Sequence, residues 1–203
     1  TYELHRIWTP TEKDNAIVYA CRVAFPAVYK KVDDFSIRFG SWIRDGGFVV
    51  WTSTTDLTYW NESTTTCTQT TTAPNIFRAG STSVALSAGA GYLSQRANEN
   101  PDLVFLSEKS VTFKARVKAS TASQVRLRIL DGTTTTTGSY HTGGGGWEEI
   151  EVTATIKESP NAIEFRILYD ATDTTAYVDE AWIEGAGGRY DYDISGLGLY
   201  NNC

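Results

Sequence analysis

The chain has 203 residues, a formal net charge of −6 and a pI near 5.0. That sign of charge excludes a nucleic-acid partner gripped through its phosphates, which requires a basic footprint, and no run reaches the ~20 apolar residues of a bilayer-spanning helix. Cys21, Cys67 and Cys203 are too few and too scattered for a disulfide framework or a zinc site.

The first element lies near the start. Thr9-Pro10-Thr11-Glu12 combines a capping threonine, a proline suited to the first helical position and a glutamate placed to close a capping box. Ile17, Ala20, Cys21, Ala24 and Val28 then recur at three- and four-residue spacing and form one apolar face. Pro26 interrupts the helix near Phe25. A single amphipathic helix cannot bury its own stripe, so residues 1–47 read as a docking segment and the five stripe residues as its assembly contacts.

From Phe48 the period changes to two. Short strands are expected at 48–51, 76–78, 82–87, 91–95 and 175–184. Longer ones alternate plainly: Val111, Phe113, Ala115 and Val117 against Thr112, Lys114, Arg116 and Lys118; Val125, Leu127 and Ile129 against Arg126 and Arg128. Ile150, Val152, Ala154 and Ile156 oppose Glu149, Glu151, Thr153 and Thr155; Ile163, Phe165, Ile167 and Tyr169 oppose Glu164, Arg166 and Leu168. The threonine-rich stretches STTTCTQTTT and DGTTTTTG read as exposed loops. The run Gly143–Gly146 reads as a tight reversal, with Trp147 behind it plugging the end of the core or, as the alternative, offering its face as a platform for a sugar ring. Glu149, Glu151 and Glu164 are expected to face Arg126, Arg128 and Arg166 on the outer surface.

The fold class is therefore mainly β, an antiparallel β-sandwich preceded by an amphipathic helix. The sandwich is expected over 48–186, with residues 48–185 folding on their own. Residues 187–203 form an extension in which Tyr190, Tyr192 and Ile194 alternate as one more strand. Beginning at TYELH, the sequence reads as part of something longer.

Catalytic signals are sparse. His5 and His141 are the only histidines, no G-x-S-x-G elbow occurs, and no pair stands out among Asp131, Asp170, Asp173, Asp179 and Glu180. The chain reads as no enzyme. Trp60, Tyr92, Tyr140 and Trp182 are the aromatics expected to be exposed and open to sugar rings.

The order FVVWTSTTDLTYWNEST, FRAGSTSVALSAGAGYLSQ, VTFKARVKAS, VRLRILDG, YHTGGGGWEEIEVTATI, IEFRILYDA and AYVDEAWIEG resembles the jelly-roll carbohydrate-binding modules of families 4 and 9, over roughly 48–185. The resemblance implies two stacked antiparallel sheets and a structural calcium, with Asp179 as one ligand. The outer pieces, RIWTPTEKDNAIVYACRVAFPAVYKKVDDFSI and RYDYDIS, resemble segments of head-to-tail and tail-associated proteins of tailed bacteriophages. Together the likenesses imply a non-enzymatic virion structural protein in the neck, tail or fibre. Its jelly roll would project toward host-surface glycans, and its partners would be other virion proteins and further copies of itself in a symmetric oligomer. The alternative is a secreted carbohydrate-binding module of a polysaccharide-degrading enzyme, located outside the cell.

Overall fold

The computed structural model describes residues 42–78, 81–157, 162–171 and 174–185. The expected helix with Ile17, Ala20, Cys21, Ala24 and Val28, and the expected strand at 190–194, lie outside the described residues.

Twelve strands are described: β1 Trp51–Ser53, β2 Asp56–Leu57, β3 Asn61–Ser63, β4 Thr66–Thr70, β5 Ser83–Ser87, β6 Gly91–Arg96, β7 Ser110–Ala119, β8 Val125–Asp131, β9 Thr135–Thr137, β10 Trp147–Thr155, β11 Ile163–Tyr169 and β12 Ala176–Glu184. A 3-10 helix over Pro101–Leu106 joins β6 to β7 and buries Leu103 and Leu106. One five-stranded sheet has the order β10-β7-β12-β5-β4, and a second the order β3-β6-β11-β8-β9, while β1 and β2 form a small ribbon. All pairings are antiparallel. This is the expected β-sandwich.

Alternation builds the core. Side chains on a strand point to opposite faces in turn, and β7 buries Val111, Phe113, Ala115, Val117 and Ala119 while Lys114, Arg116 and Lys118 face outward. The inward residues of β11 meet them: Phe113 and Phe165 contact edge-on, centroids 5.4 Å apart at 71°. Such a pair adds about 1 kcal/mol beyond burial itself.

The core begins before the expected boundary at residue 48. Trp42 and Ile43 belong to it, each 3% exposed. The turn that follows is closed by Asp45, which adopts a positive φ of 46° and accepts hydrogen bonds from the Val49 and Val50 amides at 2.8 and 3.0 Å. Aspartate tolerates this left-handed region better than most residues because its short side chain bonds locally.

Both threonine-rich stretches contain strands. In β4 the order Thr66-Cys67-Thr68 sends only Cys67 into the core, so a polar composition conceals a regular alternation. At β9 an edge strand of threonines pairs with β8. Conversely, residues 76–78 are no strand. That segment bends over the outer face of the first sheet, where the Phe77 ring meets Trp147 edge-on at 5.8 Å and Arg116 lies 4.5 Å from the Phe77 centroid. Trp147 is thus no core plug. It shares the odd-numbered, outward parity of Glu149 and Glu151, and packs half-buried under Phe77.

The outer ion pairs differ from expectation on β10. Glu149 and Glu151 face Lys114 and Arg116 of the first sheet, at 2.9 to 3.3 Å, whereas Glu164 pairs with Arg166 of the second, as expected, and also with Arg96. Sequence parity tells in from out, but which sheet a strand joins is decided by long-range pairing.

Candidate functional site

The outer face of the second sheet presents an ordered grid of side chains. Cross-strand register aligns Tyr92 of β6, Leu168 of β11 and Arg126 of β8 in one row. The next row is Asn61, Ser94, Arg166, Arg128 and Thr137, and the third is Arg96, Glu164 and Leu130. These residues share a face because each is separated from the next on its strand by two positions.

Two tyrosines bound the first row. The Arg166 guanidinium lies 4.2 Å from the centroid of Tyr92, and Arg126 lies 4.3 Å from that of Tyr140. Tyr140 reaches this face through a bulge. The Gly138 amide donates to Leu127 O and the His141 amide to Val125 O, so the pairing slips by one residue between them. The slip turns Tyr140 outward beside Arg126 and sends His141 inward, where it is buried. His141 Nδ1 accepts the Gly143 amide at 3.0 Å, and burial lowers the pKa of the imidazole, which favours its neutral form.

The polar groups are held firmly. The Tyr140 hydroxyl donates to Asp170 Oδ2 at 2.7 Å, and Arg126 reaches the same oxygen at 2.9 Å. Hydrogen bonding to Asp170 and burial together raise the tyrosine pKa, keeping the phenol protonated. Glu164 accepts Arg96 at 3.0 Å and Arg166 at 2.7 Å. Burial pushes its carboxyl up, and the two guanidinium groups outweigh that and hold it below the usual carboxylate range. Fixed rings and fixed donors are what a recognition surface needs, since side chains already ordered lose little entropy when a ligand arrives.

Of the four aromatics singled out in the sequence, this face brings together two. Tyr92 and Tyr140 are half-buried here. The expectation that Trp60 and Trp182 are exposed is corrected: each is 4% exposed. Trp60 stacks on Phe48 at 5.1 Å and donates Nε1 to Asp45 O, because β3 begins directly beneath the turn at residues 45–48. Trp182 lies on the opposite, first sheet and donates Nε1 to Glu184. Sequence reading passed over the arginines as solvated pair formers. Their signal was arginine at alternate positions in both RLRIL and EFRIL, beside aromatics at strand ends.

A cavity of about 130 Å³ opens at the β3 edge between Arg44, Tyr59, Asn61, Gln95 and Glu99.

Both carboxylate oxygens of Asp179 are engaged in hydrogen bonds. One carboxylate oxygen accepts the Phe77 amide at 3.1 Å and the Ser81 hydroxyl at 3.0 Å, and the other accepts the Glu180 amide at 2.8 Å. Its neighbour Glu180 is engaged by Arg78 and Arg116, and among the described residues no cluster of three or more His, Cys, Asp or Glu side chains could hold a metal ion. The Asp179 oxygens tie Phe77 and Ser81 to the sheet. The remaining candidate carboxylates are similarly occupied. Asp131 closes its own turn through the Thr133 and Thr134 amides, and Asp170 serves Tyr140 and Arg126; Asp173 lies outside the described residues.

Burial raises the Asp179 carboxyl from 3.8 to about 6, against the opposing effect of its hydrogen bonds. A folded-state value above the unfolded one means that the neutral form is favoured by folding. The stabilisation is complete below the unfolded value of 3.8 and is lost as pH rises through about 6. The melting temperature of wild type relative to Asp179→Asn is therefore expected to be higher at pH 4.5 than at pH 7.5. A difference of the opposite slope would mean that the hydrogen bonds, not burial, govern this group.

The fold is shared with sugar-binding domains. TmCBM61, solved in complex with β-1,4-galactotriose, superposes with a TM-score of 0.54 at 14% identity over 71% of this chain and 98% of its own. The CBM22-1 xylan-binding domain of Paenibacillus barcinonensis Xyn10C gives 0.51 at 10% identity, over 72% and 92%. The enzymatically active domain of bacteriophage CBA120 tailspike protein 4 gives 0.51 at 12% identity over 71% of this chain, which spans only 21% of that larger one. No family model matches the sequence, and no curated protein matches it. At these identities the likeness establishes the jelly-roll architecture.

Proposed function

We propose that this chain is a non-enzymatic glycan-binding module whose sugar seat is the outer face of the second sheet, between Tyr92 and Tyr140. The observation that carries the reading is the pair of tyrosines, each fixed by a guanidinium on a solvent-facing sheet. A pyranose ring offers an apolar face to an aromatic edge or plane and a rim of hydroxyls to fixed donors and acceptors; the face supplies both. The sugar ligands in the names of TmCBM61 and the Xyn10C domain agree with it.

As carrier we propose the structural apparatus of a tailed phage, with the module turned toward host-surface glycans and residues 1–47 as its anchor. The phage-like character of the terminal segments and the tailspike similarity favour this carrier. The likeness to the xylan-binding domain of Xyn10C favours the other, a module secreted with a polysaccharide-degrading enzyme. Locating the chain by electron cryomicroscopy of purified particles distinguishes them: density for the sandwich on the particle supports the virion, and its absence from particles of a host that makes the protein overturns it.

Affinity electrophoresis through a panel of neutral and acidic polysaccharides tests the seat. Tyr92→Ala and Tyr140→Ala are each expected to weaken retardation by about tenfold, since one stacked ring contributes roughly 1 kcal/mol or more. Tyr177→Ala, on the first sheet, serves as control and is expected to leave retardation intact. Retardation unchanged by both seat variants would put the sugar elsewhere.

A further inference from the structure

The proposed seat is basic, although the chain as a whole is acidic. Against a net charge of −6, the outer face of the second sheet carries Arg96, Arg126, Arg128 and Arg166 against the carboxylates of Glu164, Asp170 and, at the β3 edge beside Asn61, Glu99. These carboxylates are committed: Glu164 is shared by Arg96 and Arg166, Asp170 binds Arg126 and the Tyr140 hydroxyl, and Glu99 accepts from the Asn61 side-chain amide. Arg128 donates Nε to the Thr137 hydroxyl at 3.0 Å, and among the described residues it pairs with no carboxylate. The Nε atoms of Arg126 and Arg166 are buried and donate to no acceptor. The first sheet behaves oppositely, since Lys114 there is surrounded by Glu149, Glu151 and Glu184. The surplus of donors is therefore local to the face that bears the tyrosines.

Resting on the glycan-binding reading, we infer that the ligand is an acidic polysaccharide carrying ring carboxylates, a uronate polymer, with Arg128 and Arg166 as the carboxylate-binding pair. These two residues are direct cross-strand neighbours at the centre of the grid. A guanidinium fork matches the planar carboxylate with two parallel hydrogen bonds. The flanking tyrosines ask for sugar rings at the same time, and a uronate carries its charge on the ring that would stack. A phosphodiester-linked polymer carries its charge between rings instead.

The test uses the full chain, with polygalacturonate, alginate and hyaluronate as probes, each beside its carboxyl-reduced, neutral counterpart. At least one carboxylate polymer is expected to bind at least about tenfold more tightly than its reduced form. Raising sodium chloride from about 0.05 M to about 0.5 M weakens that binding markedly, because charge pairs on an open face are screened. Arg128→Gln, whose side chain leaves only the Thr137 hydroxyl behind, weakens it about tenfold while the melting temperature stays near that of the parent, and Arg128→Lys restores part of the loss. Equal binding of the reduced polymers would overturn the charge requirement and leave the sugar seat standing. Binding of dextran sulfate or polyphosphate with no carboxylate polymer bound would overturn the choice of carboxylate. A chain that binds neither the acidic nor the reduced polymers, nor any other glycan of the panel, overturns the reading on which the inference rests.

Discussion

A fragment beginning at Phe48 is expected to lose its cooperative melt, whereas one spanning 42–185 keeps it. The six residues between contribute two side chains to the core, Trp42 and Ile43. Truncating a buried tryptophan or isoleucine costs about 2–5 kcal/mol each, and a domain of this size has only about 5–15 kcal/mol in total. Polar losses add to the apolar ones. Gln95, 2% exposed, donates to Arg44 O and accepts the Arg44 amide, and Asn100 donates to Trp42 O. Removing these partners leaves Gln95 and Asn100 only their mutual hydrogen bond, from Asn100 Nδ2 to Gln95 Oε1 at 3.2 Å, at about 1–3 kcal/mol for each group left unsatisfied. Far-UV circular dichroism and urea titration of both fragments measure this. A sharp transition for 48–185 would mean that water or a rearranged loop replaces these contacts, and a broad one for 42–185 would mean that residues outside it complete the core.

The second large effect is expected at the glycine run, and only at its first member. Gly143, Gly144 and Gly145 all have positive φ, at 87°, 89° and 77°. A Cβ on Gly144 or Gly145 meets nothing within 4 Å, so Ala there costs only the left-handed backbone, roughly 1 kcal/mol each. A Cβ on Gly143 comes within 2.6 Å of the Ala122 backbone nitrogen, a contact that backbone must relieve. The loop is pinned there, because the Gly144 and Gly145 amides donate to Ser120 O and Ala119 O at the end of β7. Gly143→Ala is accordingly expected to lower stability by about 3 kcal/mol, distinctly more than the other two. It also disturbs the amide that holds His141, and with it the bulge that presents Tyr140. Thermal melts of the three single variants rank them; equal effects at all three would mean that the loop shifts as a unit and that Gly143 is not its anchor.

Where one strand face was apolar and the other charged, the sequence alone was sufficient. The inward and outward residues of β7, β8, β10 and β11 follow directly from period two, because side-chain parity is a local property of extended backbone. The arginines of the proposed seat were legible as outward residues, and Tyr92 and Tyr140 as aromatics worth attention. Four things required the tertiary structure. Trp60 is buried because the turn at 45–48 brings Phe48 and the Asp45 carbonyl onto it, contacts separated by many residues in the chain. Cys67 is a core residue of a strand whose threonine-rich composition imitates a loop. The acidic strand β10 faces Lys114 and Arg116, not the arginines of β8, because pairing order assigns it to the other sheet. Tyr140 joins Arg126 only through a one-residue slip between residues 138 and 141. In each case alternation fixes a residue's side of its own strand, but which sheet, which bulge and which distant turn complete its surroundings depends on contacts far apart in sequence, and these are set by packing the whole sandwich at once.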